Sequence, residues 1–460
     1  MKFNTCLSEI SEIVMGQSPK GDEVNNCGKG VPLLNGPTEF TDRYPEPVQF
    51  TESGKKFAEK GDILFCVRGS TTGRMNYADQ KYAIGRGIGA IRGRNGFPTP
   101  YVRAVIEQNL DRLLQAATGS TFPNVGRDML NNFEVASVGQ EDANRINQFI
   151  VSLEGKVYLN SQINQTLEQM AQAIFKSWFV DFEPVKAKIA ALEAGGSEED
   201  ALLAAMQAIS GKGEAELTRL EAEQPEQYAE LRATAELFPS AMQDSELGEI
   251  PEGWAIAPFS SIARLDTTSV KPAQDPEKIW EHYSIPAFDE GATPVFETGV
   301  DIKSNKYKVY PTAVLSSKLN PHFPRTWIPY VQSPDAAICS TEFMQFVPIE
   351  PQHRAFIAGT ITSEPFQNGI MMRVTGSTGS RQRAQPKQVA AMDVILPKSE
   401  LRAVYSKQTE AMYRMQSKNI WQARSLSSLR DTLLPKLLSG ELSVLDAEGQ
   451  LEEAAEPANV

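Results

Sequence analysis

The chain has 460 residues, enough for two or more domains, and its 41% hydrophobic content is that of an ordinary globular protein. No run approaches the roughly 18 apolar residues needed to cross a bilayer, and the opening "MKFNTCLSEI" lacks the apolar segment of a secretion signal, so a cytoplasmic protein is expected. The formal charge of −13 argues against a nucleic-acid partner, but its distribution reverses that argument. Residues 183–253 hold 16 acids and 5 bases, and residues 441–460 hold 6 acids and no base; the rest of the chain is net positive by four.

In chain order, residues 1–142 are rich in β-branched residues, Gly and Pro, with short apolar runs such as "DILFCV" and "GIGAIRG". These are strands and turns. "IGRGIGAI" (Ile84–Ile91) contains GxGxG but lacks the long helix and the acidic residue of a dinucleotide site, so it is expected to be a strand–turn–strand. A long helix follows over 143–183. Ile146, Ile150, Leu153, Val157, Asn160, Asn164, Leu167, Ala171 and Ile174 recur in alternating steps of four and three, a heptad seam. Residues 184–250 are rich in Ala and Glu with Gly and Pro breaks, an acidic connector of short helices. Residues 251–398 return to strands and turns.

A second long helix is expected over 399–442. Its seam, Tyr405, Thr409, Met412, Gln416, Asn419, Ala423, Leu426, Arg430 and Leu433, keeps an offset of 259 from the first. Asn160, Asn164, Gln416 and Asn419 make both seams polar at the middle. Such residues either fix register at a cost in stability or are solvated, and the sequence leaves both open. Residues 443–460 form an acidic, disordered tail.

The chain is an internal repeat. "LSEISEIVMGQSP" (Leu7–Pro19) has an echo in "FSSIARLDTTSVKP" (Phe259–Pro272), "GDILFCVRGS" (Gly61–Ser70) in "PTAVLSSKLN" (Pro311–Asn320), and "TGSTFPNVGRDMLNNFEVASV" (Thr118–Val138) in "TGSTGSRQRAQPKQVAAMDVILP" (Thr375–Pro397). The matches keep their order at nearly constant offset. Each half has one plan, a strand-rich domain entering a long helix. A pseudo-twofold relation between the halves would pair the helices antiparallel.

Catalytic motifs are missing. There is no P-loop and no nucleophile elbow. "NPHF" (Asn320–Phe323) resembles the Asn-Pro-Pro-Tyr/Phe motif of amino-methyltransferases, but His322 replaces the second proline and no glycine-rich cofactor turn precedes it. Four scattered cysteines and three histidines give no metal-ligand spacing. Basic residues are more informative. Ile63–Arg103 holds seven bases and one acid, Ile302–Arg325 five bases and no acid, and Pro365–Met392 four bases and no acid. They are interleaved with Ser, Thr, Asn and Gln, which bond phosphates, while Arg, Asn and Gln read base edges. On this chemistry the DNA-contacting candidates are Arg68, Ser70, Thr71, Arg74 and Arg86 in the first half. In the second they are Lys303, Lys306, Lys318, Asn320, Arg381, Gln382 and Arg383.

"SLEGKVYLNSQINQTLEQMAQAIFKSWFVDFEPV" (Ser152–Val185), "IPEGW" (Ile250–Trp254), "LRDTLLPKLLSGEL" (Leu429–Leu442) and the two TGST-to-helix passages carry a resemblance. The chain resembles, over nearly its whole length, the specificity subunits of type I restriction–modification systems. The resemblance implies an α+β chain. Two globular mixed α/β target-recognition domains are separated by two long, antiparallel coiled-coil helices. Each domain would read one half of a split site in double-stranded DNA. The helices would set the spacing and dock two methyltransferase subunits, with restriction and translocase subunits joining them. S-adenosylmethionine, ATP and Mg would sit on those partners and no cofactor on this chain, which would not itself be an enzyme.

Phe175, Trp178 and Phe179 in the first helix match Leu434, Leu437 and Leu438 in the second, at the same offset of 259. This apolar stripe is wider than one seam. Either the neighbouring recognition domains or the methyltransferase subunits cover it, and docking is the favoured role for these six. A stand-alone DNA-modifying enzyme and a coiled-coil assembly protein without DNA binding remain the alternatives.

Overall fold

The computed structural model describes residues 3–117, 123–376 and 382–444, with 446, 447 and 449 beyond them. It divides into two compact units that are not contiguous in sequence. One is Met1–Leu159 with Gln422–Val460; the other is Asn160–Trp421. Each therefore takes part of both long helices, which run over Gln140–Phe179 and Ser399–Ser439, about 60 Å each.

The first unit has a four-stranded antiparallel sheet in the order Ser11–Met15, Ile88–Gly93, Ile63–Cys66, Met75–Tyr77. All four residues of Ile63–Cys66 are buried, which is why "ILFC" does not alternate. The second unit repeats this sheet as Ala263–Asp266, Phe343–Pro348, Val314–Ser317, Thr326–Trp327.

Each unit also has a five-stranded sheet built on one parallel pair. In the first unit Val31–Leu34 lies parallel to Tyr82–Ile84, flanked by Gln49–Thr51 and Phe57–Ala58. In the second, Ile279–Tyr283 lies parallel to Ala337–Cys339, flanked by Val295–Thr298 and Lys306–Lys308. These four strands correspond in sequence order. The fifth strand does not. Val24–Asn25 adds beside Gln49–Thr51, whereas Ser269–Val270 adds beside Lys306–Lys308, at the opposite end of the shared core. The repeat is thus exact in its central strands and altered at one edge.

"IGRGIGAI" is a strand–turn–strand: Tyr82–Ile84 ends and Ile88–Gly93 begins around the Gly85–Gly87 turn. Gly87 is required there, because a Cβ would lie 2.3 Å from the Asn35 carbonyl oxygen.

The long helices enter these cores. In the first unit Ile146, Phe149, Ile150 and Leu153 pack with Leu426, Leu433, Leu434, Leu437 and Leu438, and with Tyr101, Val102 and Val105 of the helix Thr99–Gln108. In the second, Ala171, Phe175, Trp178 and Phe179 pack with Tyr405, Phe356 and Trp254. The helices run antiparallel within the second unit. The Tyr405 hydroxyl donates to the Ala171 carbonyl (3.3 Å) and the Gln416 amide to the Asn164 carbonyl (2.9 Å). The polar seam positions are paired. Asn419 donates to Asn164 Oδ1 (2.9 Å), Asn164 to the Gln416 carbonyl (3.2 Å) and Asn160 to the Asn419 carbonyl (3.4 Å). This favours the register reading over solvated positions.

Pro435 lies inside the second helix, which continues to Ser439. Proline removes the N–H that would bond the Asp431 carbonyl. Gly440 then adopts φ 74° and the Glu441 N–H caps the Lys436 carbonyl (2.9 Å), so the helix stops one turn after the proline.

Two sequence boundaries need correction. The connector is helical only to Glu236, in four helices, Glu183–Glu193, Glu198–Ser210, Glu214–Glu223 and Pro225–Glu236; Met242–Gln243 then pairs with Ile250–Pro251. The expected disordered tail begins on residues that pack, since Val444 lies against the first core and Ala447 is buried in it. Most of 445–460 lies outside the described residues.

Truncating Leu437 to Ala should cost the first unit about 2–5 kcal/mol. Hydrogen exchange should rise at Thr99–Gln108 and at 146–153, some 300 residues away in sequence. Faster exchange confined to the second long helix would contradict this packing.

Candidate nucleic-acid interface

One loop occurs in both units with the same anchoring bonds, although its seventh residue is left-handed in the first (Gly73, φ 95°) and a proline in the second (Pro324). Eight residues, Val67–Arg74, follow Ile63–Cys66; eight residues, Lys318–Arg325, follow Val314–Ser317. The Cys66 N–H bonds the Arg74 carbonyl, as Ser317 bonds Arg325 (2.9 Å in each). The Val67 N–H bonds Gly87, and Lys318 bonds Glu342 (2.9 Å in each). Thr72 bonds back to Gly69 (3.2 Å), and Phe323 to Asn320 (2.9 Å). The third loop residue is left-handed in both, Gly69 at φ 94° and Asn320 at φ 48°, a conformation that Gly and Asn tolerate best.

A second segment joins each loop. Arg68 bridges Asn124 and the Val125 N–H bonds the Val67 carbonyl. Leu319 bridges Arg383 and the Ala384 N–H bonds the Lys318 carbonyl. The joining segments are those that follow the two TGST stretches. The repeat in sequence is therefore a repeat in space, with two loops assembled at each site.

In the first unit this brings most candidates together. Arg68, Ser70 and Arg74 are exposed on the loop, and Thr71 is half-buried, 3.6 Å from Cys66 Sγ. Arg74 also donates to the Phe40 carbonyl (3.3 Å). Arg86 is exposed on the turn whose Gly87 carbonyl holds the loop, and its N–H bonds Ser18 Oγ (3.1 Å). Ser18, Asn35 and Gln49 continue a hydrogen-bonded polar rim there, which the sequence reading missed. Nothing in residue type marked them; only the fold gathers three strand ends.

The second unit differs. Lys318, Asn320, Gln382 and Arg383 meet, with the Asn320 N–H on the Gln382 carbonyl (3.0 Å), but all four are half-buried. Arg383 gives Nε and Nη2 to the Glu342 carboxylate (3.0 and 3.1 Å), so it braces the loop rather than standing free. Lys303 is exposed away from this loop, with Nζ on the Val300 carbonyl (2.7 Å). Lys306 is a correction. It is 8% exposed, its ammonium is turned onto Ser304 Oγ (2.6 Å), and burial pushes its pKa down against the pull of Glu297. Its strand turns its side chain inward. Arg381 lies outside the described residues, as do all of the first TGST (118–121) and half of the second (377–378).

Known proteins agree with this architecture. Residues 3–169 match the family model for the type I restriction modification DNA specificity domain. Over 410 residues the chain is 28% identical to the type I restriction enzyme HindI specificity subunit of Haemophilus influenzae, covering 84% of this chain and 88% of that one. Over most of its length the chain is thus similar to the specificity subunits of type I restriction enzymes. It is also 28% identical over 167 residues to a putative MjaX specificity subunit of Methanocaldococcus jannaschii, covering 35% of this chain and 38% of that one. A crystal structure of a type I restriction-modification S subunit from M. genitalium shares the fold. It has a TM-score of 0.52 at 13% identity, over 95% of this chain and 96% of that one.

In this chain the six residues expected to dock partners are interior. Leu434, Leu437 and Leu438 are 8%, 2% and 2% exposed in the first core; Phe175, Trp178 and Phe179 are 6%, 1% and 6% exposed in the second. The chain's own strand-rich units cover the wide stripe. Gly359 shows how tightly, since a Cβ there would come within 2.4 Å of the Phe175 ring.

The exposed and buried bases should separate in a binding assay. In the assembled complex, Arg68→Ala should weaken double-stranded DNA binding and reduce the salt slope by about 0.9. Lys306→Met should leave that slope unchanged. Equal slopes for both variants would contradict the assignment.

Proposed function

We propose that each unit of this DNA-recognition subunit reads one half of a bipartite site in double-stranded DNA. The paired eight-residue loops, each joined to a second polar segment, are the observation that carries the reading. Half to two-thirds of protein–DNA hydrogen bonds position the backbone, and a few side chains read bases. Arg68, Ser70, Thr71, Arg74 and Arg86 supply such groups in the first half. Lys318, Asn320, Gln382 and Arg381 supply them in the second, with Arg383 holding the site and Lys303 beside a separate backbone stretch.

The long helices act as a spacer whose length sets the distance between half-sites. They also take up two methyltransferase subunits, which carry S-adenosylmethionine and methylate adenine N6. Restriction and translocase subunits carry ATP and Mg. With Phe175, Trp178, Phe179, Leu434, Leu437 and Leu438 buried, the docking surface falls on the outer helix faces. Val151, Leu159, Met170 and Met415 are exposed there and support that assignment. The chain contributes recognition and no catalysis. It works in the cytoplasm, where its DNA lies. No described helix is long and apolar enough to cross a membrane.

Matched four-residue insertions in both long helices should keep both half-sites and change the spacer between them. Methylation-motif sequencing of cells carrying the variant reads this directly. An unchanged spacer in an active variant would reject the helices as ruler, and loss of the wild-type gene without loss of any adenine motif would reject the function.

A further inference from the structure

The two loops share their anchoring backbone bonds but present different chemistry at the sixth position. Offset 251 carries Thr72 onto Phe323. Thr72 folds in, its hydroxyl donating to the Gly69 carbonyl (2.8 Å) and the Pro123 carbonyl (3.0 Å). Phe323 points out. It is 67% exposed, more than any other aromatic among the described residues.

A lone exposed apolar side chain is ordinary on a protein surface. This one is held. Pro321 and Pro324 fix the backbone on either side. The Phe323 N–H bonds the Asn320 carbonyl (2.9 Å), and its carbonyl accepts from Arg325 Nη1 (3.3 Å). The Arg325 guanidinium is itself clamped by Asp289 (2.6 and 3.0 Å). A ring presented on a braced loop loses little entropy on contact. Its neighbours are Lys318, Asn320 and His322 on the same loop and Gln382 on the joining segment, a polar, basic setting for an apolar group.

In a DNA groove such a group has one feature to recognise. The thymine C5-methyl is the only apolar group that base pairs display in the major groove, and Phe contacts it. We propose that Phe323 is a specificity-determining residue that packs on the C5-methyl of a thymine in the half-site read by the second unit. The proposal rests on the reading that this unit binds DNA. It also explains why equivalent loops serve different sequences. The first reads with guanidinium and hydroxyl groups, the second with a ring.

The test uses the complex assembled with its methyltransferase partners and duplexes carrying its methylation motif. Thymines of the second half-site are replaced one at a time by deoxyuridine, which lacks only the methyl. For the wild type, one replacement should weaken binding at least about fivefold. Phe323→Ala should bind the thymine duplex weaker by a similar factor and no longer distinguish uracil there; Phe323→Leu should keep part of the discrimination. A wild type indifferent to every replacement would overturn the proposal. So would a Phe323→Ala variant that still discriminates, whether or not its affinity falls uniformly. A wild-type complex without any bipartite motif would instead overturn the DNA reading itself.

Discussion

Each long helix carries more apolar surface than one partner helix can cover, and the arrangement of the chain follows from that excess. A heptad seam buries a stripe two residues wide per heptad. The end of the first helix adds Phe175, Trp178 and Phe179, and the end of the second adds Leu434, Leu437 and Leu438. At roughly 1.5–3 kcal/mol per fully buried large apolar side chain, leaving such a cluster in water would be costly. The strand-rich units cover it. Because the helices are antiparallel, the C-terminal helix end must be buried by the N-terminal unit, which closes the chain on itself. Neither unit is a continuous stretch of sequence.

The same constraint separates rigid from variable parts. Strands that pack on the helices recur in order in both units, and so do the backbone bonds that anchor the eight-residue loop. Apart from Val67, which is buried in the first core, few side chains on that loop are held by core packing. Arg68 and Ser70 stand where Leu319 and Pro321 stand in the other copy, and Thr72 where Phe323 stands. The left-handed third residue preserves the turn while its neighbours change. Shared anchoring bonds with exposed side chains that differ suit a surface proposed to read a different half-site in each copy.

Much of this was legible in the sequence because it depends on local spacing. The heptad stepping located both helices, and the ordered echoes located the repeated strands. GxGxG was correctly a turn, since no helix pattern followed it. The failures share a physical cause, contacts made far along the chain. Lys306 sits in a three-residue strand, too short for alternation to decide which face is buried. Arg383 looked like a free cation because Glu342 is 41 residues away. The six docking candidates were rightly seen as needing cover, but sequence spacing does not say that the cover comes from the same chain. Phe323 sat inside "NPHF", weighed only as a catalytic motif, and its exposure had no sequence signal.

The central claim is that the two eight-residue loops are equivalent reading elements on equivalent frames. Exchanging them tests it most directly. Residues 319–324 are replaced by the sequence of 68–73, leaving Lys318 and Arg325 as anchors, and the methylated motif of the assembled complex is sequenced. The account predicts a bipartite motif with the first half-site and the spacer unchanged and the second half-site altered. An active complex that methylates the original motif at both halves would contradict it.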